Sequence, residues 1–386
     1  MSKLNKLKIL PLVGMAFLLT GCWDNVELNE RHVILELAID KNLSFNEKMP
    51  INKQKAYKLT YCIPDMKKLS GQESLGDEVK SNITIEAASI AASIDEIETK
   101  TQDTVTFSHT KALILGEEIL KDRKLFQGTI ETLTRDMAIS RNTMILATHG
   151  EAGELTKGDN PQNPLVGMYV MKYFNNRERP VSYAKGQFLG SVIKELNDTS
   201  ITTLPLIVKN QEDTLQIKGG ALIKDYELVG WLDQEVMRGQ LFIEGKIKGV
   251  PLVVDYKGDN LTYTIKDEKS KISFDNKGGE WKARIKLTSV GDISEYFTLN
   301  KDAALSSERI EEVKQLLERE VKNEVLKAIA TSKTLNVDFL NIGLEMYRKH
   351  PNQWKEYQSN WQTTGYKNFP IEIEPTIIIQ NTGAIQ

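Results

Sequence analysis

Two cysteines are the first residues to test for chemistry, because a thiol can be acylated, metallated, oxidised or paired. Cys22 follows Leu19-Thr20-Gly21 at the end of an apolar run, Ile9 to Thr20, and Lys3, Lys6 and Lys8 precede that run with no acid among them. The run is too short to cross a bilayer as a stable helix, and the order of charge, apolar segment and small residues is that of a removable export signal. Small residues before a cysteine suit a processing site at which the thiol takes a diacylglyceryl group, so the segment resembles the lipobox of exported lipoproteins. Two acyl chains anchor stably where one is marginal. With Cys22 in a thioether, Cys62 has no other cysteine to pair with, and a disulfide framework is excluded. Cys62 sits in an alternating stretch, Ala56 to Ile63, where a buried small hydrophobe is expected ahead of a reactive thiol.

Other reactive side chains form no pattern. His32, His109, His149 and His350 are scattered without a partner at metal-ligand spacing, so no metal site is expected. No nucleophile elbow, zinc-protease helix, phosphate loop or dinucleotide fingerprint occurs, and Gly219-Gly220 and Gly278-Gly279 lie in turn-like settings. Any two of 53 acids could meet in a fold, so carboxylate abundance alone does not identify a glycosidase. Neither catalysis nor a cofactor is expected, and no direct small-molecule ligand. The polar loop around Asn175, Asn176, Arg177, Glu178, Arg179 and Pro180 could meet a partner but reads first as solvated. Tyr347, Trp354, Tyr357, Trp361 and Tyr366 crowd near the end, and at that density they are expected to wedge a loop onto its own domain.

Whatever carries out the function must be built on packed cores. Removal of 1–21 leaves roughly 365 residues, enough for two or three domains, and takes three lysines from a chain of net charge −3. The more acidic remainder argues against nucleic acid or anionic headgroups as the recruiting partner. A tether of about ten residues, 22–32, spans at most roughly 35 Å and keeps the body near the bilayer.

Alternation predicts strands at Val33 to Ile39, Tyr57 to Ile63, Lys111 to Leu115 and Thr143 to Ala147. Helices are expected from Asn82 to Ile97, through Ile119, Leu120, Leu133 and Asp136, and at Pro164 to Phe174 and Tyr183 to Leu196. From about Gln211 the pattern becomes a meander with no helix before residue 304. It comprises a hairpin around Lys224-Asp225-Tyr226-Glu227, then strands at Leu241 to Ile247, Leu252 to Tyr256, Leu261 to Ile265, Ile272 to Phe274 and Trp281 to Leu287. A long helix, Ser307 to Thr331, carries one stripe from Ile310 to Ala328 to cover that sheet, with Ser306 or Ser307 as N-cap and Glu318–Lys322 as a surface pair. Ile371 to Ile379 closes the chain as a strand whose Pro375 marks a bulge or an edge. The expectation is a multidomain α+β protein. A mixed-sheet N-terminal domain with helices, 33–205, precedes a C-terminal part, 206–386, of antiparallel sheet under a long helix. That second part admits a subdivision near 260–300 into a strand-rich and a helix-containing domain.

Several short pieces, in order, resemble one family. They are Cys22-Trp23-Asp24 with Glu27-Leu28-Asn29, Ala38-Ile39-Asp40, Phe107-Ser108-His109-Thr110-Lys111, Leu115-Gly116-Glu117-Glu118 and Arg135-Asp136. Gly219-Gly220-Ala221-Leu222, Leu228-Val229-Gly230, Val337-Asp338-Phe339-Leu340 with Gly343, and Pro351-Asn352-Gln353-Trp354 follow. Together they resemble the Ger(x)C lipoproteins, the C subunits of spore germination receptors. Glu36-Leu37-Ala38 departs from that pattern, in which a small residue and glycine are commoner, and so does Thr110 after His109. The resemblance implies a peripheral, non-enzymatic subunit on the outer face of the spore inner membrane, beside integral A and B subunits, with Cys22 the lipidated residue. It carries over no catalytic residue. A solute-binding lipoprotein of a transporter and a secreted cell-envelope hydrolase are the alternatives. The first would need two lobes of βα repeats and the second has no motif to stand on.

Overall fold

The computed structural model describes residues 31–382 apart from 47, 66, 67, 69–78, 103, 136–138, 158–163, 177–182, 213 and 297–305. Cys22, the segment around it, Asp136 and the 177–180 loop lie outside the described residues.

In chain order the first elements are β1 (Arg31–Val33), β2 (Glu36–Lys41), β3 (Tyr57–Pro64), β4 (Lys80–Ala87), α1 (Ile90–Glu98), β5 (Thr104–Thr106) and β6 (Ala112–Leu115). Then come α2 (Glu117–Lys121), α3 (Arg123–Arg135), β7 (Met144–Ala147), α4 (Ala152–Lys157), α5 (Val166–Asn175) and α6 (Leu189–Thr199). With β8 (Ile201–Lys209), β9 (Leu215–Lys224) and β10 (Glu227–Leu232) they build an eight-stranded sheet, ordered β10-β9-β8-β7-β6-β2-β3-β4, beside a small β1-β5 pair. The central strands β8, β7, β6 and β2 run parallel, and antiparallel strands flank them. Parallel strands need cover on both faces, which is why β6 and β7 are short unbroken apolar runs, buried at every position. Leu113, Leu115 and Ile145 face a core with Phe126, Ile130 and Leu133 of α3, while Ala112, Ile114 and Leu146 face one with Val166 and Val170 of α5.

The second half contains α7 (Gln234–Ile243), β11 (Val250–Tyr256), β12 (Asp259–Lys277), β13 (Glu280–Tyr296), α8 (Ser307–Leu335), α9 (Ile342–Lys349), α10 (Pro351–Tyr357) and β14 (Ile371–Asn381). Its sheet is ordered β11-β12-β13-β14. Val313, Leu317, Val321, Val325 and Ala328 of α8 are buried against it, and Ser306 caps α8 by accepting from the Arg309 N–H, both as the stripe predicts.

Five expectations change. The helix expected from Asn82 starts only at Ile90, because the β-branched run Ile83-Thr84-Ile85 pairs with β3, and Ser89 then caps α1 through the Ala92 N–H. Tyr183 to Phe188 likewise precedes rather than opens α6. Leu241 to Ile247 is not a strand, since residues through Ile243 belong to α7, capped by Asp233 Oδ1 on the Val236 N–H at 2.8 Å. From Val236 to Ile243 all but Arg238 are buried, so α7 shows no amphipathic stripe to read. The β14 strand runs parallel to β13, making the second sheet mixed, because α8, α9 and α10 return the chain to the end where it began. Glu318 does not serve α8 alone. It accepts the Ile377 N–H at 3.1 Å and so quenches a donor on the outward row of edge strand β14, where Pro375 has none to offer.

Residue 205 lies inside β8, and β9 and β10 pair with the first sheet. Sheet membership changes after Leu232. β12 and β13 pair from Leu261–Tyr296 to Lys277–Glu280, with bulges at 262–263 and 265–267.

Glu268, beside the second bulge, faces the core. Its Oε2 accepts from Ser289 Oγ, its Oε1 has no partner, and burial pushes its carboxyl up to about 7 from 4.5. The folded state therefore holds a proton that the unfolded state releases between those values, and this contribution to stability falls as pH rises from about 4.5 to 7. Glu268→Gln is expected to gain on the order of 2 kcal/mol at pH 8 and little at pH 4. Urea melts at the two pH values check it, and an equal change at both would show that ionisation is not the cause.

Candidate functional site

The chain enters the described fold at β1, and the residues knitted there make the surface nearest the expected anchor. Ile34 O accepts from Thr110 Oγ1 at 2.8 Å, Thr110 O accepts from Thr143 Oγ1 at 3.1 Å, and the Lys111 N–H donates to Leu35 O at 2.8 Å. The Phe107 to Lys111 piece is thus a corner that fixes the entering strand to β6 and β7. Ser108 and His109 are exposed on it. Thr110, where the family pattern prefers an apolar residue, supplies both of those hydroxyl and carbonyl links.

Most of the other pieces explain one another structurally. Asp40 accepts N–H bonds from Ala152 at 2.7 Å and Gly153 at 2.9 Å, capping α4, and a Cβ on Gly116 would lie 2.0 Å from Asp40 Oδ1. Ile39-Asp40 and Leu115-Gly116 are therefore one joint. Asp338 accepts from the N–H groups of Ile342 at 3.0 Å and Gly343 at 2.7 Å and from Trp361 Nε1 at 2.9 Å. Trp354 packs its ring 5.2 Å from that of Trp361, and a Cβ on Gly343 would come within 2.5 Å of the indole nitrogen. Gly219, at φ 75°, lets β9 pass under Leu232 O, 2.5 Å from where a Cβ would stand.

Glu36, the departure from the family pattern, is fully buried and takes the same kind of role. Its Oε1 accepts the Gly167 N–H at 2.8 Å at the start of α5. Burial pushes Glu36 up to about 7 despite that bond and nearby Lys80, and pushes Asp40 up to about 6 despite its two N–H donors. Cys62 lies across from Glu36 on β3 and is fully buried, and burial, with Glu36 beside it, raises its thiol far above the usual range. It is a core residue, not a reactive one. Trp361 and Tyr366 are core as well, with Trp354 and Tyr357 packed on them, whereas Tyr347 is exposed.

Among the described residues no three His, Cys, Asp or Glu side chains are grouped to hold a metal, and no helix is long and apolar enough to cross a membrane. A cleft of about 540 Å³ lies between α6, the end of α7, β12 and α9. Most of its charges are already paired: Lys185 with Glu195 and Glu244, Lys246 with Glu244, and Arg348 and Lys349 with Glu345. Sequence reasoning missed Glu36, Asp40 and Asp338 as helix caps and Lys185 as a buried ion.

Residues 24–209 match the family described as the spore germination protein N-terminal domain, and residues 218–383 match the spore germination B3/GerAC-like C-terminal domain. The chain belongs to the Ger(x)C family. It is 24% identical over 362 residues to spore germination protein B3 of Bacillus subtilis (strain 168), covering 90% of each chain. Spore germination protein KC of the same organism is 22% identical, with 98% of this chain and 95% of that protein covered. A crystal structure of the GerBC protein superposes with a TM-score of 0.59 at 18% identity, over 88% of this chain and 97% of that one, and so shares the fold. The Ger(x)C pattern pieces at Asp40, Gly116, Asp338 and Gly343 are joints of that fold.

Proposed function

We propose that this chain is the lipid-anchored C subunit of a nutrient germinant receptor, acting by protein contacts on the outer face of the spore inner membrane. The observation that carries it is the ordered match of both Ger(x)C domains along nearly the whole chain, directly behind Cys22. Diacylglyceryl on Cys22 supplies the membrane attachment, and integral A and B subunits are the partners. The short tether and the Phe107 to Lys111 corner favour contact through the tether end of the first sheet. A solute-binding role fits less well, because the second part is a four-stranded sheet under one long helix rather than a second βα lobe.

Detergent extraction of spore membranes carrying a tagged chain, followed by affinity capture, tests the reading. Two multispanning proteins are expected in the eluate, and deletion of the chain is expected to abolish the response to at least one nutrient. Recovery with transporter subunits and an unchanged response would overturn it.

A further inference from the structure

The chain passes from the first sheet to the second once, at Asp233, between β10 and α7. α7 belongs with the second part. A Cβ on Gly239 would stand 2.5 Å from Glu324 O and 2.7 Å from Ala328 Cβ, so α7 and α8 touch backbone to backbone and move together. At its start α7 is tied covalently to the first sheet. Its far end, about 15 Å away by helix rise, has only side chains to hold it.

Those side chains converge on Lys185, which is 5% exposed. Its Nζ lies 2.8 Å from Glu195 Oε1 on α6 of the first part and 3.2 Å from Glu244 Oε1, the residue that ends α7. Glu195 Oε2 also accepts from Gln187 Nε2 at 2.8 Å and from Thr202 Oγ1 at 2.5 Å, both in the first part. Glu244 Oε1 also accepts from Gln240 Nε2 at 2.9 Å, and Gln240 reaches Phe339 O at 3.3 Å, beside the Asp338 joint that starts α9. Lys246 Nζ lies 2.7 Å from Glu244 Oε2. Burial works against the Lys185 ammonium, yet Glu244 and Glu195 outweigh it and keep its pKa above the usual value. Apolar contacts cross the same boundary near the start and middle of α7, where Ile201, Leu222 and Leu232 share its core and a Cβ on Gly220 would stand 3.1 Å from Met237 Sδ, and they leave the far end of the helix to the Lys185 group.

We propose that Lys185 is an electrostatic clamp that fixes the angle of the second sheet on the first, and that the cleft beside it is the space that opens when the clamp is released. Without the ammonium, two carboxylates no more than about 6 Å apart repel across the boundary. α7 then swings on Asp233, carrying α8 and α9 away from α6. This inference concerns the described residues alone and stands apart from the membrane reading.

Lys185→Met removes the charge at nearly constant length. Hydrogen exchange of the full chain, followed by mass spectrometry, is expected to speed up at least about tenfold at residues 241–247 and 341–349, with β6 and β13 unchanged. Lys185→Met/Glu244→Gln removes the repulsion without restoring the ion pair and is expected to return those segments to within about twofold of the parent. Unchanged exchange in the single variant, or no recovery in the double one, would overturn the proposal. If the single variant does not fold, the double decides: parental exchange supports the clamp, and failure to fold overturns it.

Discussion

Replacing Cys22 with alanine is expected to leave the chain uncleaved or released, with at least a tenfold fall in the membrane-bound fraction, by the weight that two acyl chains carry in anchoring. The nutrient response of spores is expected to fall with it. No helix among the described residues can substitute as a span, and removal of the signal lysines leaves an acidic remainder with little attraction for anionic lipid. Membrane fractionation and a germination assay on the same spores read both effects. Full retention with a normal response would show that protein partners alone hold the chain.

Asp338→Ala is expected to give the largest loss of stability of any single polar change in the second part. It would strand three buried donors, the N–H groups of Ile342 and Gly343 and the indole N–H of Trp361, at about 1–3 kcal/mol each when unpaired. A loss of about 3–5 kcal/mol is a large share of the total, and the transition of the second sheet should fall by roughly 10 °C. Asp338→Asn keeps the shape and one acceptor and is expected to recover part of the loss. Calorimetry of both variants checks this, and a melting point within about 2 °C of the parent for the alanine variant would refute the joint.

What the sequence made legible follows the range of each interaction. Strands with alternating faces, such as Trp281 to Leu287, and the α8 stripe with its Ser306 cap are local patterns, and the fold keeps them. The α7 helix was invisible because it is buried on nearly every side. Asp40 meets Ala152 112 residues later, so no window links them, although Ile39-Asp40 and Leu115-Gly116 both belong to the family resemblance. Asp338 caps a helix only four residues on, and that signal was within reach: an aspartate shortly before an apolar helical start. No local pattern marks Lys185 as buried, since only the meeting of Glu195 and Glu244 makes its burial tolerable.

The parallel pairing of β14 with β13 also sets a schedule. Ile373 and Ile377 complete the core beneath α8, yet they belong to a strand synthesised 88 residues after the partner on which they dock, Ile285 to Ile373 and Ser289 to Ile377. The second sheet must therefore wait, with Ala283, Ile285 and Leu287 unpaired along one side, until β14 arrives. In that interval it is open to misassembly with a neighbouring chain. A chain stopped before Ile371 would lose more than an edge, because the helix above would be left covering a gap.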